Sequence, residues 1–599
     1  MSESAIPVQE TDPQKTSFLL CALFLICSLL WNPELFTSLG KASYLPFFTP
    51  AALSLLAAAV VAFRPEKPRE PKYIIVAAMG FVLILLGQFI MHISSWSIAQ
   101  AGECLWWVAV PALACAHQES IRKLLPAYVL SIGGYALLYA FATNLRGLWN
   151  SGITGNVNWT AALFVMTMIF LGWLIFILWK KAIRPVQKKT ILILGTMWEL
   201  LLVWQFYLIG SKGAYTAAIL TAALFFWLRS GSKVRKILIG IGLLGLLAGA
   251  FLLSRNTDAA AKFINDDGRV IFWENAVRLI ADHPLFGVGQ GSYENEYMTY
   301  RKADYFMILN PAARSNHPHS HLLFMAGSWG VAGLVLWGIL LFAPLAVMIR
   351  KYFRHETVDP LDTACFLTLC YAILHGSLDI IMISMPTGLI ALLCLGILSR
   401  HLADPKKTAE PLPLRKIMLI PAILLCCMSG VIVWRSCHAV LQVRNAYRNE
   451  LTAEDIIRTV QQCPAEYQAN FAMLNYLAKR KADPRTTLTV TDIMLRSHTP
   501  NYPGLHMGRA NALMRLGRFP EALQNYQKEA ELFPLTLRPV YNMIVAARCM
   551  KDLPLAAKLE EELRARMRFR GNDDNDLRII LTGRNGAHYD LRPRDKIER

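Results

Sequence analysis

Between residues 16 and 434 apolar positions come in long unbroken runs separated by short polar loops. The runs lie near 16–34, 45–63, 73–92, 100–116, 126–143, 160–179, 190–210, 214–229, 236–254, 322–349, 361–381, 385–400 and 416–434. Runs approaching 20 apolar residues match a hydrocarbon layer about 30 Å thick. In lipid a chain must satisfy its own backbone hydrogen bonds, which a helix does segment by segment. The pattern therefore predicts an all-α, polytopic membrane fold with about 12–13 transmembrane helices. Residues 1–15 are polar, and no small-residue cleavage site follows the first run. That run is expected to be a retained helix behind a cytoplasmic N-terminus.

The pattern changes at residue 435. From there to 599 the chain is charged, with helical amphipathic periodicity and few long apolar runs. Asn511-Ala-Leu-Met-Arg-Leu-Gly-Arg-Phe-Pro-Glu-Ala522, followed by Tyr526, Ala530 and Pro534, has the spacing of a tetratricopeptide-like helix pair. Residues 535–568, with Ala546, Ala547, Leu553 and Ala556, read as a second, weaker copy. About three such units are needed for a stable stack, and the helices near 452–482 are candidates for the rest. A generic helical bundle is the alternative.

Composition agrees. The chain is 54% hydrophobic and 17% charged, against about 25% charged in soluble domains. A net charge of +19 in a soluble protein would suggest nucleic acid. Here the excess falls in alternate loops: Arg64 to Lys72, Arg122/Lys123, Lys180 to Lys189, Arg229 to Lys236, Arg350 to Arg354, and Lys406 to Lys416. The positive-inside rule makes these loops cytoplasmic. An odd number of spans then puts residues 435–599 outside, as an extracytoplasmic helical domain. Residues 255–321 become a long polar outer loop carrying Asp266, Asp267, Arg269, Trp273, His283, Pro284 and His319. Ordered loops of that length usually carry function. The twelve cysteines show no metal-ligand spacing or disulfide framework, and most lie in apolar runs as small hydrophobes.

Five groups of residues stand out. Arg269 to Asp282 reads as an amphipathic helix running into His283-Pro-Leu-Phe-Gly-Val-Gly-Gln-Gly-Ser-Tyr293. These glycines follow a helix rather than a strand, which argues against a nucleotide loop. His317-Pro-His319-Ser320-His321 precedes Gly330 and Gly333. Three histidines at i, i+2 and i+4 can suggest a metal. No carboxylate lies in that segment, however, and Pro318 prevents a regular helix there. Gly155-Asn156-Val157-Asn158-Trp159 stands at the mouth of the sixth run and fits either a helix cap or a polar site. Gly210-Ser211-Lys212-Gly213 separates the seventh and eighth runs, where Lys212 is either functional or a snorkelling cation. His375 and Asp379, at i and i+4, are expected on one helix face in a polar interior.

Together these strings resemble the superfamily of O-antigen ligases, O-antigen polymerases and protein O-oligosaccharyltransferases. The Gly268-Arg269…Trp273…Asp282-His-Pro-Leu-Phe-Gly-Val-Gly-Gln-Gly-Ser-Tyr293 string and His319-Ser320 ahead of Gly330-x-x-Gly333 carry the resemblance. It covers runs six to twelve well, the first five by topology alone, and not the C-terminal tail. It implies a donor glycan on polyprenyl pyrophosphate, Arg269 on the pyrophosphate, and His319 as the catalytic or acceptor-positioning residue. Lys212 stands where the family usually has Arg, keeping the charge but not the two-pronged geometry. Asn156, Asn158, Ser211, Trp273, Ser320, His321, His375 and Asp379 are the expected supporting residues. No metal or other cofactor is expected.

The implied reaction is glycan transfer to an acceptor hydroxyl at the periplasmic face of the inner membrane. A lipid A core acceptor is favoured; a protein or another repeat unit is the alternative. Expected partners are the lipid-linked glycan, a glycolipid, glycan or protein acceptor, and membrane lipid. A transporter or scaffold is the reading from another class. The runs show no clear internal repeat, and their polar motifs cluster at one membrane face, which suits chemistry on a head group.

Overall fold

The structure is a computed structural model. It describes residues 13–30, 72–91, 95–145, 152–154, 156–232, 234–235, 237–242, 269–289, 293–300, 317–402, 451–462, 467–496, 504–533 and 536–569, with positions 56, 57, 60, 61 and 431. Among these residues every regular element is a helix. Five are long and apolar enough to cross a membrane: Gln118–Asn144, Val157–Lys181, Pro185–Ile209, His321–Phe353 and Met385–Leu402. The expected runs 45–63 and 416–434 lie almost wholly outside the described residues, and 236–254 lies outside them except for 237–242.

The membrane core contains α1 (Pro13–Leu30), α2 (Lys72–Met91), α3 (Ser95–Ala116), α4 (Gln118–Leu145), α5 (Val157–Lys181), α6 (Pro185–Ile209) and α7 (Lys212–Arg229). Within the 255–321 segment lie α8 (Arg269–Asp282) and the short α9 (Tyr293–Tyr297), followed by α10 (His321–Phe353), α11 (Pro360–Gly376) and α12 (Met385–Ser399). Their starts follow local chemistry. Asn156, Ser211 and Asp359 each cap a helix by accepting a backbone N–H. Proline opens α6 and α11, where its missing N–H costs nothing. One continuous apolar cluster joins α1 to α7 with α10 to α12 and includes the fully buried Trp329, Trp337, Tyr371 and Phe366. α6 leaves Leu194, Trp198, Leu201 and Trp204 exposed, as suits a helix facing lipid tails.

α11 separates the two ends of the bundle. Near its start, buried Asp362 binds Arg122 of α4, Arg400 Nη2 at 2.5 Å and His401 Nε2 at 2.9 Å. A second nitrogen of Arg122 lies 3.0 Å from Asp359. A buried carboxylate is tolerated only with such partners, and these tie α4, α11 and the end of α12 together. The other end of α11 leads to the candidate site.

The C-terminal region is helical as expected: α13 (Ala453–Gln462), α14 (Tyr467–Lys479), α15 (Pro484–Leu495), α16 (Leu505–Arg515), α17 (Phe519–Leu532), α18 (Leu537–Cys549) and α19 (Leu553–Phe569). Two apolar clusters hold it: one around Ile456, Leu474 and Met494, the other around Leu513, Tyr526, Val540 and Leu563.

Candidate active site

The site is assembled where α5 and α7 begin, where α11 ends, and in the loop before α10. At the turn from α6 to α7, Gly210 takes a left-handed φ of 70°, and Ser211 caps α7 by accepting from Ala214 N at 3.4 Å. The Ser211 hydroxyl also donates to Asn158 Oδ1 at 2.7 Å. The Asn158 amide in turn donates to Asp379 Oδ2. Asp379 Oδ1 accepts from Ile380 N at 2.6 Å and lies 3.6 Å from His319 Nδ1. Four separate stretches of chain thus meet in one polar line, with exposed Lys212 next to Ser211 at the first position of α7.

Asn156 and Asn158 divide the two expected roles. Asn156 is the helix cap, accepting from Asn158 N at 2.8 Å. Asn158, the second residue of α5, gives its side chain to the polar line. Asp379 departs from the expected arrangement. α11 stops at Gly376, so His375 and Asp379 do not share the face of a continuing helix. The Asp379 carboxylate accepts the next backbone N–H, a local bond that competes with helical geometry. His375 instead turns inward: its Nδ1 bonds Tyr371 OH at 2.9 Å, and its ring packs against the Gly213 position of α7.

His319 has a left-handed φ of 50°, unusual for a residue with a side chain. Such strain persists only where the surroundings enforce it. Here its backbone N–H reaches His317 Nδ1 at 3.4 Å, and the two rings stand 4.5 Å apart, centre to centre. Loss of solvent around half-buried His317, followed by repulsion from His319, pushes the His317 pKa down to about 4. His317 is therefore neutral near pH 7.

Arg269 opens α8, and its charge is close enough to act on His375. One turn on, the Phe272 ring lies 5.0 Å from the His319 ring. The stretch that Arg269 opens thus touches His319, fifty positions further along the chain. Trp273 is half-buried, with its indole N–H enclosed and without a partner. Ser320 is buried at the start of α10 and makes no side-chain capping bond. His321 stands apart from the polar line. It is fully buried between Trp107, at 5.1 Å, and Trp337, at 5.0 Å, and neither ring nitrogen has a partner.

The glycines of the two signature strings have a shared structural use. α10 is broken at Gly330, whose φ of 69° and ψ of −176° suit only glycine. The extended segment after α8 threads into that break. Val288 N donates to Gly327 O at 2.9 Å, Gly289 N to Ser328 O at 2.8 Å, and Val331 N to Pro284 O at 2.8 Å. A Cβ on Gly330 would come 2.1 Å from Leu285 O, and one on Gly287 would come 2.5 Å from Gly327 O. Gln88 of α2 completes the junction by donating to Phe286 O at 2.6 Å and Ser328 O at 2.8 Å. This junction sets α8, and so Arg269, against the helix that follows His319. Sequence reasoning passed over Gln88, although an amide within an apolar run is itself a signal. Phe272 carried none, because an aromatic on an amphipathic helix reads as ordinary core.

Among the described residues no group of three or more His, Cys, Asp or Glu side chains is disposed to hold a metal ion. No curated protein matches the chain. Residues 199–338 match the family model described as O-antigen ligase. The matched stretch contains Lys212, Arg269, His319 and the glycine junction, and over these residues the chain is similar to the O-antigen ligase family.

Proposed function

We propose that the protein transfers a glycan from polyprenyl pyrophosphate to an acceptor hydroxyl, in the manner of an O-antigen ligase. The observation that carries this reading is the convergence of Arg269, the Lys212 end of α7 and the His319–Asp379 pair at one end of the bundle. Cations there suit a pyrophosphate, and an imidazole beside a carboxylate suits an alcohol. In the proposed step the acceptor oxygen forms a bond to the anomeric carbon while the bond from that carbon to the phosphate oxygen breaks. Polyprenyl pyrophosphate leaves with the bonding electrons. His319 takes the acceptor proton through Nε2, its Nδ1 being turned to Asp379. Arg269 and Lys212 offset the charge gathering on the leaving group, and the dipole at the start of α7 adds to them. Asn158 and Ser211 hold Asp379 in place.

The loop charge supports a periplasmic site in a bacterial inner membrane, with the C-terminal helices on the same side. A reporter that works only in the periplasm should be active when fused at residue 599. The acceptor favoured here is a lipid A core sugar. A protein hydroxyl is the second reading, favoured by the C-terminal helices. Their starts recur at 467, 505 and 537, and at 484, 519 and 553, spacings compatible with tetratricopeptide-like pairs. Purified protein incubated with lipid-linked donor and each acceptor in turn tests the function. Release of polyprenyl pyrophosphate coupled to one glycosylated acceptor is the expected result. Transfer to none of them would defeat the reading.

A further inference from the structure

A cavity of about 540 Å³ lies away from the candidate site, at the other end of α7. It is lined by Ala223, Phe226, Arg229 and Ser230 from α7 and its end, and by Arg235, Leu238 and Ile239 beyond the turn. α7 has 18 residues and at 1.5 Å per residue is roughly 27 Å long. Lys212, at the site, and Arg229, at the cavity, therefore stand about one bilayer core apart. The end of α7 is pinned to the end of α10 by Trp227 and Phe353, whose ring centres are 5.5 Å apart.

The lining is two-sided. Arg229 and Arg235 are exposed, and among the described residues neither forms an ion pair with a carboxylate. This contrasts with Arg122 and Arg400 at Asp362, whose charges are already matched. Ser230 adds a buried hydroxyl, while Phe226, Leu238, Ile239 and Ala223 form apolar walls. Two unmatched guanidiniums above apolar walls, at the depth of a membrane interface, complement an anionic head on a hydrocarbon tail. Guanidinium is the side chain best shaped to chelate phosphate oxygens.

We propose that this cavity binds an anionic phospholipid from the leaflet opposite the candidate active site. Arg229 and Arg235 hold the phosphodiester, and the first part of an acyl chain lies along Phe226 and Leu238. The size fits the ligand. A cavity of a few hundred cubic ångströms takes a head group and part of one chain, not a whole lipid.

The test uses the full-length protein, purified in a mild neutral detergent. Retained lipid is read by mass spectrometry, and melting is followed in the presence of phosphatidylglycerol, phosphatidylcholine or inorganic phosphate. The wild type should retain phosphatidylglycerol and be stabilised by it, with no comparable effect from phosphatidylcholine. In R229A/R235A retention should fall at least about tenfold, the scale set by removing two interfacial cations. R229K/R235K should keep much of it. If the double alanine variant does not fold, A223W fills the apolar part of the cavity with both arginines intact and should also expel the lipid. Equal retention by wild type and R229A/R235A would overturn the proposal. So would equal stabilisation by phosphatidylcholine, or full stabilisation by inorganic phosphate alone, which would make the cavity a site for free anions.

Discussion

His319 Nδ1 lies 3.6 Å from Asp379 Oδ1, although sixty positions of chain, including the whole of α10 and α11, separate the two residues. The pairing gives His319 an orientation as well as a charge partner. One ring nitrogen faces the carboxylate, which leaves the other for a substrate. The carboxylate is itself held by Asn158 and by Ile380 N.

His319→Ala is expected to bind lipid-linked donor normally and to transfer about 10²–10⁴-fold more slowly. Asp379→Asn should show a smaller loss of the same kind, because it leaves the histidine in place but misdirected. Donor binding and single-turnover transfer, measured separately on folded protein, check this. Near-normal transfer by His319→Ala, with His317 and His321 also replaced, would leave only electrostatic activation.

Lys212→Arg should retain transfer, whereas Lys212→Ala should weaken donor use at least about tenfold, the scale of one lost hydrogen bond to a charged group. The measurement is the rate at limiting donor. Full activity in Lys212→Ala would identify Lys212 as a snorkelling cation at the membrane interface.

Gly330→Ala is expected to disrupt the junction between α8 and α10. The conformation alone costs a residue with a side chain about 1–3 kcal/mol, and the new methyl would meet the Leu285 carbonyl at 2.1 Å. Both melting temperature and transfer should fall. An unchanged melting temperature would show that the segment need not sit so close to the break.

The depressed pKa of His317 predicts an acid weakness. In the folded protein it takes a proton only near pH 4, while an unfolded histidine does so near 6.5. The folded state thus binds fewer protons in that window, and stability is lost as pH falls from about 6.5 to 4. The limit is about 3 kcal/mol, lowered by the partial solvation of the ring. Protonation at Nδ1 would also remove the acceptor for the His319 N–H. Melting measured between pH 7.5 and 4.5 should show the loss, and His317→Gln should flatten it. An identical slope in that variant would assign the effect elsewhere.

Most of the helices were legible because lipid leaves the chain few choices. Apolar runs had to become helices, and Asn156 was readable as the cap of one of them. Boundaries shifted by a few residues at most ends. The largest change was at 126–143, where the helix already begins at Gln118, while the run at 361–381 ends early, at Gly376. The reason for the early end is local, in the backbone bond of Asp379, and hydropathy does not register it.

Site chemistry divided differently. The order of the signature strings, through the resemblance they carry, was enough to single out Arg269, Lys212 and His319 as candidates, and Asp379 stood out as an ionisable group near the end of an apolar run. Their relations were not readable. Asn158 as the bridge to Asp379, Phe272 against His319, and Gln88 at the glycine junction all depend on contacts between distant parts of the chain. His321 shows the same limit in reverse. In sequence it is equivalent to its neighbours, two and four positions away, yet in the fold it lies between Trp107 and Trp337, apart from the polar line. Periodicity and charge pattern are local properties, so the sequence by itself determined the helical membrane class and the candidate residues. Which side chains face one another depends on how helices pack around a shared core, and only the tertiary structure decided that.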